Sequence, residues 1–125
     1  MGKLLLDSSA LFLYLTQSKR IGKKTIRLLN NSQLYYSPIS LIEFKIKELK
    51  GKLRIGPLST DRLGSIGLVS YPLSDAAAER FTPVANDDPF DNILLAQTLD
   101  LGGRFLTSDL EILRLNLDYV VDLTD

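Results

Sequence analysis

The chain contains no histidine, no cysteine and no tryptophan, and has a single methionine. The absences of histidine and cysteine exclude most catalytic classes before any pattern is considered. Without thiolates or imidazoles the common zinc sites cannot form. A Ser-His-Asp or Cys-His nucleophile system is ruled out as well. Lack of cysteine also removes disulfides and redox motifs, which agrees with a reducing, cytoplasmic setting. No apolar stretch approaches the length needed to cross a bilayer. The N-terminus reads as lacking a signal peptide, because an acid follows an apolar run too short for an h-region. Hydrolytic chemistry is therefore left to carboxylates, hydroxyls, Lys, Arg, Tyr or a bound Mg²⁺ or Mn²⁺.

What is present suits a single domain spanning residues 1–125, with 45% hydrophobic and 24% charged residues. Net charge is zero but unevenly placed. Residues 1–54 hold eleven Lys/Arg against three acids, a net of +8, and residues 55–125 hold four against twelve, a net of −8. The clusters Lys19-Arg20, Lys23-Lys24-Arg27 and Lys45-Lys47-Lys50-Lys52-Arg54 read equally as a footprint for a polyanion or as solvated helix faces.

Apolar runs alternate with helical patterns. Leu4–Leu6, Leu34–Tyr36, Leu68–Tyr71, Arg104–Thr107 and Tyr119–Val121 read as five strands. Helices are expected from Ala10, over Lys19–Leu29, from Ser40 to Gly51, over Ser74–Phe81, Pro89–Leu101 and Asp109–Leu115. Residues 56–67 are rich in breakers and predict a loop with one short helix. Strands separated by helices predict an α/β fold, a three-layer α/β/α sandwich around a mostly parallel five-stranded sheet. Ligands in such sheets bind beyond the carboxyl ends of the strands.

Four acids stand where the chain leaves an apolar run or opens a helix: Asp7, Glu43, Asp91 and Asp109. Each has a structural reading. Ser40-Leu41-Ile42-Glu43 matches a capping box, and Ser108-Asp109-Leu110-Glu111 repeats it. Asp88 suits an N-cap with Pro89 at the first helical position, and Asp7 suits a cap for the helix that follows. Jointly they read differently, since Asp7 and Asp109 fall just past two strands at one sheet edge. Carboxylates gathered there repel one another unless a hard divalent cation lies between them. Tyr14 and Tyr35-Tyr36 can serve as stacking platforms for bases, although buried core positions are the commoner role for such tyrosines. Lys45, Lys47 and Lys52 follow Glu43 and are candidates to meet a phosphate at the rim.

These segments carry a resemblance. Leu4-Leu5-Leu6-Asp7-Ser8-Ser9-Ala10-Leu11 resembles the opening strand-Asp-[Ser/Thr] segment of the PIN domain, and in particular of the VapC toxins of toxin–antitoxin pairs. Ser37–Phe44 is similar to the helix bearing that family's glutamate, and Glu48–Leu53 to its Gly-Lys-Leu tail. The most specific stretch is Asp88-Pro89-Phe90-Asp91-Asn92-Ile93-Leu94-Leu95-Ala96-Gln97-Thr98, which resembles the family's Asp-Pro-Phe-Asp-Arg-Leu-Leu-Ile-Ala-Gln-Ala. Phe105–Asp109 resembles its Leu-Val-Thr-x-Asp strand end. The matches run in order from residue 3 to the C-terminus.

The resemblance implies a ribonuclease that uses Mg²⁺ or Mn²⁺ to hydrolyse phosphodiesters of RNA. Asp7, Glu43, Asp91 and Asp109 would be its metal-binding acids, Thr107 a supporting hydroxyl, and Ser8 a small polar residue that orients water or metal. It also implies a homodimer and a cognate antitoxin that covers the acidic site. Two positions depart from the pattern: Asp87 and Asn92 stand where the family often has basic residues. Two rival readings remain, a PIN-like domain that binds RNA or protein without cutting, and a receiver-like signalling domain. The second needs a paired acid beside the first strand and a lysine after the last, and the chain has neither.

Overall fold

Three consecutive leucines, Leu4, Leu5 and Leu6, lie at the centre of the molecule, each 1% exposed or less. A run apolar on both faces belongs to a strand covered on both sides, and this one is the middle strand of the sheet. The computed structural model describes residues 2–52, 59–85 and 87–125. In chain order the elements are β1 (Gly2–Leu6), α1 (Ser8–Leu15), α2 (Lys23–Asn30), β2 (Ser32–Tyr36), α3 (Pro38–Leu49) and α4 (Thr60–Ser65). Then follow β3 (Leu68–Ser70), α5 (Asp75–Glu79), α6 (Pro89–Leu101), β4 (Arg104–Thr107), α7 (Leu110–Leu113) and β5 (Val120–Asp122).

The sheet has the order β3-β2-β1-β4-β5, and every pairing is parallel rather than mostly so. Side chains alternate across it as strand geometry requires. Leu4, Leu6, Leu34, Tyr36 and Leu106 pack with Ala10 and Leu11 of α1, Leu29 of α2, Phe44 of α3 and Leu63 of α4. On the other face Leu5 and Phe105 pack with Leu94, Leu95 and Leu101 of α6 and Ile112 of α7. The result is the expected three-layer sandwich. The strand order reverses between β1 and β4, so the crevice beyond their carboxyl ends is the switch point where such folds bind ligands. No helix among the described residues is long and apolar enough to cross a membrane.

Several boundaries differ from those the sequence predicts, each for a local reason. α2 starts at Lys23 rather than Lys19, with Gly22 as its N-cap. A Cβ on Gly22 would lie 1.9 Å from the carbonyl oxygen of Asp125, so the C-terminal segment can approach this helix only over a glycine. α3 starts at Pro38, two residues before Ser40, because Ser37 is the cap and accepts from the Ile39 amide at 3.1 Å. Proline at the first helical position fixes this start and holds Ser37 in extended geometry. The Ser40–Glu43 capping box is therefore not formed. α7 is shorter than expected, and its cap is Asp109 rather than Ser108, accepting from Glu111 N at 2.9 Å. α5 is trimmed to five residues behind its Ser74 cap. By contrast α6 has the predicted bounds, with Asp88 as cap, Pro89 next, and Gly102 ending it in the left-handed region at φ 70°. Leu53 and Arg54, together with residues 56–58 of the predicted loop, lie outside the described residues.

Candidate active site

Asp7 follows directly on β1 and is only 4% exposed. Its Oδ1 accepts from Ala10 N at 2.7 Å and from Ser9 Oγ at 3.0 Å, which caps α1. Its Oδ2 accepts from Thr107 Oγ1 at 2.5 Å, across from the end of β4. Parallel pairing of Leu6 with Leu106 sets these two residues side by side although they are a hundred positions apart. Thr107 is fully buried, and its hydroxyl also accepts from Asp109 N at 3.0 Å. One hydroxyl thus bonds both the Asp7 carboxylate and the Asp109 backbone amide.

Glu43 enters from α3. Since it does not cap its own helix, its carboxylate is free to accept the hydroxyl proton of Ser8, the residue next to Asp7. Adjacent residues at the start of α1 therefore tie two different acids: Asp7 turns toward β4, and Ser8 toward α3. Asp91 sits half-buried in the first turn of α6, and its charge acts on Glu43 together with that of Asp88. The four predicted acids fall into two pairs, Asp7 with Asp109 and Glu43 with Asp91, linked through the Asp7-Ser8 step.

Both the buried Asp7 and the half-buried Glu43 have their carboxyl groups held above the ordinary value when no cation is bound. Burial pushes the Asp7 carboxyl above its ordinary value; the bonds from Thr107, Ala10 and Ser9 offset part of this, and the charge of Asp109 adds to it. Burial likewise raises Glu43, against the Ser8 bond, with Asp91 and Asp88 raising it and Lys47 lowering it. The donor set is oxygen only, which suits a hard divalent cation and not zinc. Excess negative charge held out of water points the same way. Spacing is less complete, for no three acids among the described residues stand close enough to share one ion.

Other predicted positions are distributed as follows. Lys45 is exposed on α3, two residues and about 200° of helix from Glu43. The cation that acts on Glu43 is Lys47, one turn along the same face. Asp87 is exposed on the loop before α6. Asn92 is only 2% exposed; its Oδ1 accepts from Ala85 N at 3.0 Å and its Nδ2 donates to Asp88 O at 3.1 Å, so it fastens the loop that carries Asp87 and Asp88. Tyr36 is a core residue, and Tyr35 meets Tyr71 edge to face at 6.1 Å. Two hydroxyls were not anticipated, Ser9 and Ser108, whose Oγ atoms lie 3.3 Å apart beside Asp7. The i, i+4 spacing was a signal for Lys47. Nothing local signals a contact between Ser9 and Ser108, because only the β1–β4 pairing creates it.

No family model matches the chain, and no curated protein matches it in sequence. Solved structures do match in fold. A chain of VapBC2 from Rickettsia felis, bound to a DNA fragment from their promoter, superposes with a TM-score of 0.68 at 11% identity, covering 96% of this chain and 98% of that one. A chain of DNA-bound VapBC from Salmonella typhimurium gives 0.65 at 16% identity, covering 98% and 99%. A chain of a toxin–antitoxin complex from Klebsiella pneumoniae gives 0.65 at 16%, covering 94% and 95%. The fold is the one found in these complexes, as the sequence resemblance implied.

Proposed function

We propose that this chain is a single PIN-like domain over residues 1–125, a cytoplasmic metal-dependent ribonuclease that serves as the toxin of a VapBC-type pair. The observation that carries the reading is the set of acids at the β1–β4 switch point, with Thr107 holding the Asp7 carboxylate and the Asp109 amide and Ser8 holding the Glu43 carboxylate, on a fold shared with chains of toxin–antitoxin complexes. Asp7, Glu43, Asp91 and Asp109 would hold one or two Mg²⁺ or Mn²⁺. Such an ion supplies an activated water and neutralises charge developing on the phosphoryl oxygens.

The chain's own residues prepare that chemistry. Thr107 fixes Asp7 against Asp109, and Ser8 holds Glu43, so two of the four carboxylates are oriented before any ligand arrives. With no histidine available, proton transfer falls to a carboxylate or to the solvent of the site. Lys47, one turn from Glu43, contributes to phosphate binding from the rim ahead of Lys45, which lies on the far side of α3. The partners are RNA, a VapB-like antitoxin that covers the acidic edge, and a second copy in a homodimer.

The test uses purified protein, mixed RNA and Mn²⁺, with EDTA as control. Asp7→Asn and Asp91→Asn are expected to lower the cleavage rate at least about 100-fold, near 2.7 kcal/mol of transition-state stabilisation. Cleavage as fast as wild type in both variants sinks the nuclease reading. A second reading, a PIN-like domain that binds RNA or protein with little or no cleavage, draws on the pairwise spacing of the acids and on Asp7, both of whose oxygens already accept hydrogen bonds. Under that reading the wild type binds RNA and leaves it intact with Mn²⁺.

A further inference from the structure

The acidic edge poses a problem for a polyanionic substrate. Asp87 and Asp88 add negative charge beside Asp91, and the basic residues expected around this segment are absent. Affinity for RNA has to come from elsewhere on the molecule. A second charged region lies on the face of the sheet covered by α1 and α2. There α2 packs beside edge strand β5, with Thr25 Oγ1 donating to Asp122 O at 3.0 Å and Thr25 N to Asp125 O at 3.1 Å. This leaves an open groove of about 390 Å³ between α2 and β4–β5.

Lys24, Arg27 and Asn31 line it from α2, at the i, i+3, i+7 positions of one face, and Arg104 enters from the first residue of β4. All four are exposed. Among the described residues none of the three cations has a carboxylate within ion-pair distance. Asp122 and Asp125 border the groove too, but one Asp122 oxygen is taken by Thr124 N and Oγ1. Lys19, Arg20 and Lys23 extend the positive side, so residues 19–27 hold five cations and no acid. Cations converging from two elements on one concavity, with apolar Leu28 and Val121 between them, suit a chain of phosphodiesters with its sugars. Arg104 also stands three residues before Thr107, about 10 Å along a strand, so one bound RNA can reach both places.

We propose that the groove between α2 and the β4–β5 edge binds the RNA backbone, with Lys24, Arg27 and Arg104 contacting phosphates remote from the acidic edge. The choice of RNA over another polyanion rests on the ribonuclease reading. The groove supplies affinity, and the acids supply chemistry.

The test measures binding alone, on full-length Asp91→Asn protein in EDTA, by anisotropy of a labelled single-stranded RNA of about 20 nucleotides across a salt series. Adding Lys24→Gln, Arg27→Gln and Arg104→Gln together is expected to weaken binding at least about tenfold and flatten the log–log salt slope by about 2, the value for three lost contacts on a single strand. A control that removes the same charge elsewhere, Arg62→Gln with Arg80→Gln and Arg114→Gln, all exposed, is expected to stay within about twofold. If the triple variant does not melt like its parent, Arg27→Glu alone carries the test on folded protein. Binding by the groove variant equal to that of the control overturns the proposal. So does loss of a poly-glutamate peptide with RNA binding unchanged, which would mark the groove as a protein-docking surface. Should the wild type fail to cut RNA while the groove variant still loses RNA binding, the nuclease reading falls and the groove stands.

Discussion

Asp7 concentrates the energetic conflict of this molecule in one side chain. Three donors satisfy its carboxylate, yet burial and the charge of Asp109 still favour the protonated form. Its pKa in the folded protein lies above the unfolded value of 3.8, so the linked stability is fully present below that pH and is lost as pH rises through the folded value. At neutral pH the cation-free protein therefore bears the cost of this raised ionisation. Asp7→Asn removes it while keeping an oxygen for the Ala10 amide and gaining a donor toward Thr107. The substitution is expected to raise the melting temperature in EDTA by a few degrees at neutral pH, the usual scale of a single stabilising change, and to abolish cleavage. The gain should vanish below pH 3.8; circular dichroism melts at several pH values would read it. A lower melting temperature at neutral pH would show that the carboxylate is not strained. As residues, the acids were legible because a chain without histidine or cysteine offers few other catalytic groups. Their partners were less so: Thr107 had a family position to mark it, whereas Ser9 and Ser108 had none.

At the scale of single elements, α3 shows how one proline decides what a glutamate does. Ser40-Leu41-Ile42-Glu43 has the spacing of a capping box, but Ser37-Pro38 starts the helix first. Glu43 then lies beyond the first turn and is available to Ser8, and Ser40 Oγ is buried with no hydrogen-bond partner. Ser37→Ala is expected to cost about 1 kcal/mol through the lost cap. Ser40→Ala should be neutral or stabilising, since it removes a buried hydroxyl that makes no bond. Urea denaturation of the two variants distinguishes the starts, and the reverse order of effects would restore the capping box. Elements whose limits are set by their own residues, such as α6 between Asp88-Pro89 and Gly102, were readable from sequence. α2 was not, because its first turn is set by the approach of Asp125 to Gly22, a contact about a hundred residues distant in sequence.

For the whole molecule, the strand order β3-β2-β1-β4-β5 is what assembles the site. Putting β4 beside β1 joins Asp7 to Thr107 and Asp109, and packing of α3 against α1 brings Glu43 to Ser8. If the assembled carboxylates hold a cation, ligand binding must stabilise the fold. Mn²⁺ at about 100 times its dissociation constant is expected to add about 2.7 kcal/mol to the wild type, with the thermal shift greatly reduced in Asp91→Asn. Equal shifts in the two proteins would place the ion elsewhere. The α/β class, the five strands, the four acids and the exclusion of imidazole and thiol chemistry follow from composition and periodicity, which are local properties. Strand order and packing determine that Thr107 bonds the Asp7 carboxylate and the Asp109 amide, that Ser8 holds Glu43, that Asn92 fastens a loop, and that Arg104 joins the cations of α2. Each of these depends on strand order and on packing between segments far apart in the chain, which no local pattern encodes.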